Sequence, residues 1–360
     1  MLSRAARARS GYAADRGHSA RVTAATLRGL PPRPAEARAD TFFSVQKKMS
    51  SRNRLVRALA SGTSYVWFPA ALFAARYTPR RIARWVAQTL GRLYFRSRPK
   101  YVQAVRSNLS VILGQPCTAA AVEGAADGMF RGHFAAWFDF LHFATRPARE
   151  ASRLIEGVDG FSRIVEGRLR GKGVLLLTAH LGNWEVGSFM LAEIRMPIHV
   201  VLVPDIFPGV ERSRRKLHQS RGVTEIPVDH SFVPTLSVMR ALEENGIVAM
   251  QGDRDFDNTG VCVPFFGKEA YFPRGPFRVA MATEATVLPA FILETTGSRY
   301  RAVIEEPLAI VRGPDRDTAL AANVSRYVAL LERYVRKNPA QWYCFYPFWD
   351  DPSRRPQVGG

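Results

Sequence analysis

The sequence predicts an α/β fold in which a mainly parallel sheet is covered by helices on both faces. From about residue 170 onward, short apolar runs alternate with stretches of helical periodicity, as in β-α-β units. The runs are almost continuously apolar, which is typical of strands that are buried on both faces. The candidate strands are Val174–Thr178, His199–Val203, Ile247–Gln251, Val287–Leu293 and Arg301–Ile304, and the candidate helices span residues 183–194, 208–220, 232–245 and 275–284.

Residues 1–48 differ from this pattern, because they are rich in Arg, Ala, Ser and Pro and show no sustained apolar periodicity. They carry ten basic and three acidic residues, a net charge of +7. We expect a basic disordered tail, or a region that precedes a start at Met49. A transit-like leader is the alternative.

Residues 49–100 are predicted to form a membrane-associated basic helical segment. The 18 residues 58–75 carry no charge, which is the lower limit for a membrane-spanning helix. Gly62 and Pro69 weaken that interpretation, so a shallow interfacial segment is equally open. Apolar residues then recur at helical spacing with arginines between them, as in helices that lie in an anionic headgroup layer. They are Ile82, Trp85, Val86, Leu90 and Leu93, with Arg80, Arg81, Arg84, Arg92 and Arg96. A core helix with a basic solvent-facing side is the alternative.

The main domain is expected at residues 101–350, followed by a short tail at 351–360. Residues 100 to about 170 look helical throughout. The chain of 360 residues has a net charge of +20, of which +13 lies outside the first 48 residues. Such basicity suits nucleic acid, an anionic membrane surface or an acidic carrier protein. The three cysteines are far apart and form no C-x-x-C pair, so we expect neither a metal site nor a disulfide framework.

A histidine and an acidic residue stand directly after the first apolar strand, in Thr178-Ala-His-Leu-Gly-Asn-Trp-Glu185. The spacing allows a tight turn and a first helical turn, so Glu185 could fold back toward His180. We expect His180 to act as a general base and Glu185 to fix its tautomer. Gly182 would let the backbone approach a ligand, and Asn183 would cap the helix or bind substrate.

Two further segments contribute candidate binding residues. Asp253 and Arg254 follow another strand, where Arg254 could hold a phosphate and Asp253 could bond to the imidazole from its other side. A solvated turn with local ion pairs is the alternative. Arg274 and Gly275 precede a predicted helix, whose free N–H groups would suit a phosphate or an oxyanion.

A dense aromatic block, Gln341-Trp-Tyr-Cys-Phe-Tyr-Pro-Phe-Trp349, occupies the C-terminal part of the domain. Such a block suits a membrane rim or the wall of an apolar cavity, and simple core closure is equally open.

The order of these motifs resembles the bacterial lipid A biosynthesis (lauroyl and myristoyl) acyltransferase family, which also includes phosphatidylinositol mannoside acyltransferase. The likeness covers about residues 60–350. It rests on Val105-Arg-Ser-Asn-Leu109, Gly173–Glu185, Gly252-Asp-Arg-Asp255, Gly260-Val-Cys-Val-Pro-Phe-Phe-Gly267, Pro273-Arg-Gly-Pro276 and Thr286–Phe291.

The resemblance implies a glycerolphosphate-acyltransferase-like α/β fold at the cytoplasmic face of the inner membrane. It also implies acyl transfer from an acyl-carrier-protein or coenzyme A thioester to a lipid hydroxyl, with no cofactor. His180 would be the general base and Glu185 its partner, with Asp253 and Arg254 lining the site. Two other classes stay open: a catalytically inactive, membrane-bound interaction protein and a basic nucleic-acid-binding protein.

Overall fold

The computed structural model describes residues 51–349, apart from 147–152, 194–195, 206, 229–232 and 257. The segments predicted at 1–48 and 351–360 lie outside these residues. The described chain begins with helices α1 (Ser51–Tyr77), α2 (Arg80–Ser97), α3 (Pro99–Leu113) and α4 (Ala120–Thr145). Pro99 opens α3, where its missing N–H would have had no helical partner, and Gly114 ends α3 in the left-handed region.

The α/β part follows in chain order. Its elements are β1 (Ile155–Asp159), α5 (Phe161–Leu169), β2 (Val174–Thr178), α6 (Trp184–Glu193), β3 (Ile198–Leu202), α7 (Pro208–Ser220), β4 (Val223–Pro227), α8 (Val233–Glu243), β5 (Ile247–Gln251), β6 (Val261–Phe265), β7 (Lys268–Phe272), α9 (Gly275–Ala282), β8 (Thr286–Glu294), β9 (Tyr300–Ile304) and α10 (Arg316–Lys337), with a 3₁₀ turn at Pro339–Gln341.

Seven of these strands form one sheet in the order β1-β9-β8-β2-β5-β3-β4. Strands β8, β2, β5, β3 and β4 are mutually parallel. Strand β9 runs antiparallel to β8, and β1 pairs with β9 in parallel. Strands β6 and β7 form a separate antiparallel pair. The prediction of a mainly parallel sheet flanked by helices is therefore confirmed.

Strand β2 is apolar at successive positions because both of its faces are buried. Leu175 and Leu177 pack into a core shared with α3, α4 and α10. Val174 and Leu176 point to the other face of the sheet, where they pack with Ile164 of α5. A strand covered on both faces has no solvent-facing positions that would favour polar residues.

Some elements differ from the sequence prediction. The expectation that residues 100–170 are helical throughout is wrong at β1, and β4 was not predicted. Both are five-residue strands at the edges of the sheet, where several side chains stay partly exposed and the apolar run is broken. Helix α10 was also not singled out, although Asp315 caps its start by accepting from the N–H groups of Asp317 and Thr318.

Helix α2 turns its large apolar side chains outward. Its buried side consists mainly of small residues packed on α4, and a Cβ added at Gly91 would lie 2.7 Å from the carbonyl oxygen of Phe130. The outward face exposes Ile82, Trp85, Val86, Leu90 and Leu93. The alternative of a core helix with a basic solvent-facing side is thus wrong. In the described part of the chain, no helix has the length and apolar character needed to cross a membrane.

Two arginines on the inward side of α2 hold it to the rest of the fold. Arg80 donates to both carboxylate oxygens of the buried Asp139 on α4, each at 2.8 Å. Arg84 is buried and bonds to Asp139 and Glu294. The hydroxyl of Tyr300 also donates to Asp139, at 2.5 Å. The carboxylate thus has several charge-assisted partners, as a buried charge requires.

Candidate active site

The site lies where two neighbouring parallel strands end. Strands β2 and β5 pair in a register that sets Thr178 opposite Gln251, so His180 and Asp253 follow from adjacent strand ends. Nδ1 of His180 lies 2.8 Å from Oδ1 of Asp253, and the backbone N–H of His180 donates to Oδ2 at 3.0 Å. The carboxyl edge of a parallel sheet is a common place for ligand sites.

The carboxylate of Asp253 is fully buried, and N–H groups surround it. The indole N–H of Trp342 donates to Oδ2 at 3.1 Å. Burial by itself raises the pKa of Asp253, but interactions with His180 and Arg254 outweigh it and hold the pKa below its usual value. Asp253 is therefore an anion that can orient the imidazole.

The surroundings of the His180 imidazole favour its neutral form. Burial and then the nearby Arg254 guanidinium lower its pKa below the usual histidine value, although Asp253 acts in the opposite direction. Its side chain retains 18% exposure, and the ring of Phe256 lies edge-on to it at 6.5 Å. If Nδ1 donates to Asp253, Nε2 carries the lone pair that can accept a proton.

Glu185 is not the carboxylate beside His180, and this part of the sequence prediction needs correction. Glu185 lies in the first turn of α6, and its side chain bonds to Nε2 of His218 on α7 at 3.0 Å. The other ring nitrogen of His218 lies 2.6 Å from Glu225 on β4. The four-residue spacing allows a local fold-back, but the structure pairs Glu185 with a histidine 33 residues later.

Gly182 and Asn183 contact protein rather than an open cleft. Gly182 has a φ of +70°, and a Cβ there would lie 1.9 Å from the carbonyl oxygen of Ile292. Asn183 is buried, and its amide donates to the carbonyl of Ala136 and the hydroxyl of Tyr300. Both residues therefore fix the loop that carries His180, in contrast to the ligand approach expected from the sequence.

Arg254 lies beside the His180–Asp253 pair, as the sequence suggested. Its Nη2 donates to the carbonyl of Tyr343, and its guanidinium lies 5.9 Å from the ring centre of Tyr346. Among the residues that the structure describes, its buried Nε has no hydrogen-bond partner. A buried donor without a partner is costly, so this group is available to an anionic ligand.

Arg274 and Gly275 begin helix α9. The Nε of Arg274 is also buried without a partner in the described ranges, and a Cβ added at Gly275 would meet no atom within 4 Å. The ring of Phe277 on α9 packs 5.7 Å from Tyr327, whose hydroxyl donates to the carbonyl of Thr178 at 2.7 Å. Helix α9 is thereby connected to the end of β2, two residues before His180.

The aromatic block near the C-terminus supplies residues that sequence reasoning missed. Besides the Trp342 indole, the backbone N–H of Tyr343 donates to the carbonyl of His180 at 2.9 Å. Trp342 is buried, so core closure is the interpretation that fits it. A buried indole N–H needs a hydrogen-bond acceptor, and this requirement could have indicated from the sequence that Trp342 contacts a polar group. Within the part of the chain that the structure describes, no three His, Cys, Asp or Glu side chains are grouped as metal ligands.

Comparison with known proteins identifies a family and several relatives. The family described as bacterial lipid A biosynthesis acyltransferase matches residues 51–350. Phosphatidylinositol mannoside acyltransferase of Mycobacterium tuberculosis, strains H37Rv and CDC 1551, is 26% identical over 316 residues, which cover 84% of this chain and 95% of the relative. The protein of that name from Mycolicibacterium smegmatis is 25% identical over 258 residues, covering 69% and 79%.

The family match spans the sheet, the His180–Asp253 pair and the aromatic segment that closes over it. The chain therefore belongs to the bacterial lipid A biosynthesis acyltransferase family.

Proposed function

We propose that this acyltransferase is membrane-associated and moves a fatty acyl chain from a thioester to a hydroxyl of a lipid or glycolipid. The donor would be an acyl-carrier-protein or coenzyme A thioester. The observation that carries the proposal is the contact between Nδ1 of His180 and the buried Asp253 carboxylate. It leaves Nε2 of a neutral imidazole to take the proton from an acceptor hydroxyl.

In the proposed reaction, Nε2 of His180 removes the hydroxyl proton as the oxygen attacks the thioester carbonyl. The tetrahedral intermediate collapses by breaking the C–S bond, and the imidazolium returns its proton to the leaving thiolate. The products are an ester and a free thiol, so no other reactant is needed. Asp253 stabilises the imidazolium between the two proton transfers.

Arginines supply the positive charge that this chemistry requires. We assign Arg254 to the oxyanion or to a phosphate of the substrate, because its Nε is buried and unpaired within the described residues. Arg274 and the open space at Gly275 would receive a second anionic group at the start of α9. One well-placed donor to an oxyanion contributes about 10²–10³-fold in rate.

The outward apolar face of α2 supports a membrane-associated role. Exposed aliphatic and aromatic side chains on a helix with flanking arginines suit insertion into an anionic headgroup layer. The adjoining helix α1 adds exposed residues of the same kind, namely Tyr65, Val66, Trp67, Phe73 and Tyr77. The proposed location is the cytoplasmic face of the inner membrane, where acyl thioesters and lipid acceptors meet.

The relatives guide the proposal for the acceptor. Their name specifies an acyltransferase of phosphatidylinositol mannoside, which is a glycolipid. For this chain we propose a hydroxyl of a membrane lipid or glycolipid, with the net charge of +20 attracting an acidic carrier, coenzyme A phosphates or anionic lipid.

The test uses membranes that contain the wild-type chain, His180→Ala or the control His199→Ala. Each is incubated with total bacterial lipid and labelled acyl-carrier-protein or acyl-coenzyme A thioester, and products are resolved by mass spectrometry. We expect one lipid to gain an acyl chain with the wild type and the control only. Equal product with His180→Ala would overturn the mechanism, and no product with either donor would overturn the proposed function.

A further inference from the structure

His218 is a buried histidine that the proposed mechanism does not use. Both of its ring nitrogens face carboxylates: Nε2 lies 3.0 Å from Glu185, and Nδ1 lies 2.6 Å from Glu225. An ionised carboxylate can only accept hydrogen bonds, so two such contacts require both ring nitrogens to carry a proton. With both carboxylates ionised, the geometry therefore indicates an imidazolium.

The surroundings of His218 favour this charged form. Its side chain is fully buried, and the rings of Phe140 and Phe189 pack around it at 6.2 and 5.6 Å. Burial alone would lower the pKa of His218, but hydrogen bonds and charge interactions with Glu185 and Glu225 raise it to about 9. His218 also helps to hold the pKa of Glu225 below its usual value, against the effect of burial.

The charges near His218 balance only while it is protonated. Besides Glu185 on α6 and Glu225 on β4, the charged groups of α7 at this place are Glu211, Arg214 and Arg215. Three carboxylates therefore face two guanidinium groups and one imidazolium. Loss of the imidazolium proton leaves a net negative charge in a largely buried cluster, which is strongly unfavourable.

The cluster is connected to the catalytic loop through α6. Glu185 follows His180 by five residues and lies in the first turn of α6, directly after Gly182 and Asn183. The N–H of Asn183 donates to the carbonyl of Ile292, so the loop is held on one side by β8. The Glu185–His218 contact holds the same stretch on the side of α7.

We propose that His218 is a positioning residue whose positive charge bridges Glu185 and Glu225 and thereby fixes the loop that carries His180. Deprotonation of His218 releases the bridge and sets an alkaline limit on both stability and activity. The inference rests on the proposed function for its activity readout alone. The two histidines act in opposite forms, since His180 works neutral and His218 works charged.

The first experiment measures the charge directly and needs no altered protein. Full-length protein with ¹⁵N-labelled histidine is studied at pH 8, and His218→Gln serves to assign the signal. We expect the ring nitrogens of His218 to show the shifts of an imidazolium, whereas an unperturbed histidine is neutral at that pH. Neutral-ring shifts for His218 would overturn the proposal.

The second experiment compares thermal unfolding between pH 7 and 10 for wild type, His218→Arg and the control His199→Gln. A group with a raised folded-state pKa stabilises fully below its unfolded pKa, and this contribution is lost as pH rises through about 9. Between pH 7 and 10, the Tm of the wild type and of the control should therefore fall more than the Tm of His218→Arg, because the arginine keeps its charge. Equal losses in all three would count against the bridge.

The third readout is acyl transfer against pH. We expect the wild-type rate to fall above about pH 9, the His218→Arg rate to persist there, and His218→Gln to be impaired at every pH. An identical alkaline fall in wild type and His218→Arg would contradict the proposal. Absence of transfer by the wild type at all pH values would refute the proposed function, while the spectroscopic and unfolding results would still decide the role of His218.

Discussion

Trp342 donates its indole N–H to Oδ2 of Asp253, and the backbone N–H of His180 donates to the same oxygen. The other oxygen of Asp253 faces the imidazole. Three N–H groups therefore fix a single buried carboxylate, and rotation of that carboxylate would break all three contacts. The orientation of the His180 ring thus depends on a residue near the C-terminal end of the described chain.

Replacement of Trp342 by Phe should weaken the site while keeping most of the aromatic volume. A hydrogen bond to a charged group contributes about 1.5–3 kcal/mol, and its loss should lower both the free energy of unfolding and the rate. Urea unfolding and acyl-transfer assays would measure the two effects. Trp349→Phe is the control, because that indole donates to a backbone carbonyl, that of Phe265. A larger rate loss in the control would argue against the Asp253 contact.

Asp253→Asn should separate the roles of Asp253 and Glu185, the two acidic residues considered as partners of His180. An amide facing Nδ1 favours the tautomer that carries the proton on Nε2, so the ring cannot act as a base. We expect a rate loss of about 10²–10⁴-fold, the usual contribution of general acid–base catalysis. Glu185→Gln should cause a smaller loss of rate and should leave the acid limb of the pH–rate profile in place. A reversed order would restore Glu185 as the partner of His180.

The pH profile should reflect the environment of His180. Because burial and Arg254 lower its pKa, the midpoint of the acid limb of the rate should lie below the usual histidine pKa of about 6.5. Arg254→Gln removes a nearby positive charge, so the pKa of His180 should rise and the acid limb should move to higher pH. Arg240→Gln, on the exposed side of α8, serves as the control. An acid limb that stays in place in Arg254→Gln would contradict this electrostatic account.

The outward face of α2 should determine binding to lipid vesicles. Trp85→Glu and Leu90→Glu each place a charge on side chains that are 67% and 51% exposed, so folding should be little affected. We expect weaker cosedimentation with anionic vesicles and slower acylation of lipid acceptors. Leu169→Glu, at an 81% exposed site on α5, is the matched control. Unchanged vesicle binding in the α2 variants would remove this face from the membrane contact.

Gly182→Ala should strongly destabilise the loop that carries His180. The φ of +70° costs about 1–2 kcal/mol for a residue with a Cβ, and the clash with the carbonyl of Ile292 adds to it. Gly171→Ala isolates the first contribution, since Gly171 has a φ of +72° and open space around it. Urea unfolding should show a larger loss for Gly182→Ala. Equal losses would mean that the loop moves to accommodate the methyl group.

The sequence predicted the centre of the sheet well because those strands have a strong local signature. Strands β2 and β5 are apolar at most positions, and their boundaries agree with the prediction. Strands β1 and β4 escaped prediction because these edge strands are partly exposed and their apolar runs are broken, which resembles a loop. Helix α2 shows a related limit of sequence prediction, because its buried side consists mainly of small residues. Periodicity identifies an apolar face but does not show whether that face points toward the core or outward.

The partner of His180 shows why a site is harder to predict than a strand. Local spacing favoured Glu185, because five residues can fold back within one turn. The structure instead uses Asp253, which becomes a neighbour through the parallel pairing of β2 and β5. Sequence reasoning had noted Asp253 at a strand end but had no strand order with which to rank it above Glu185. The choice depended on long-range pairing, as did the contact between Glu185 and His218.

The closing of the site by Trp342 has a consequence for synthesis of the protein. Trp342 is made 162 residues after His180. At about 5–20 residues per second, translation of that stretch takes roughly 8–30 s. During this interval the nascent chain holds the histidine and, later, Asp253, but lacks the indole that completes the carboxylate's contacts. The hydrogen bonds that fix the Asp253 carboxylate can therefore be completed only after Trp342 has been made, long after the residues of α2.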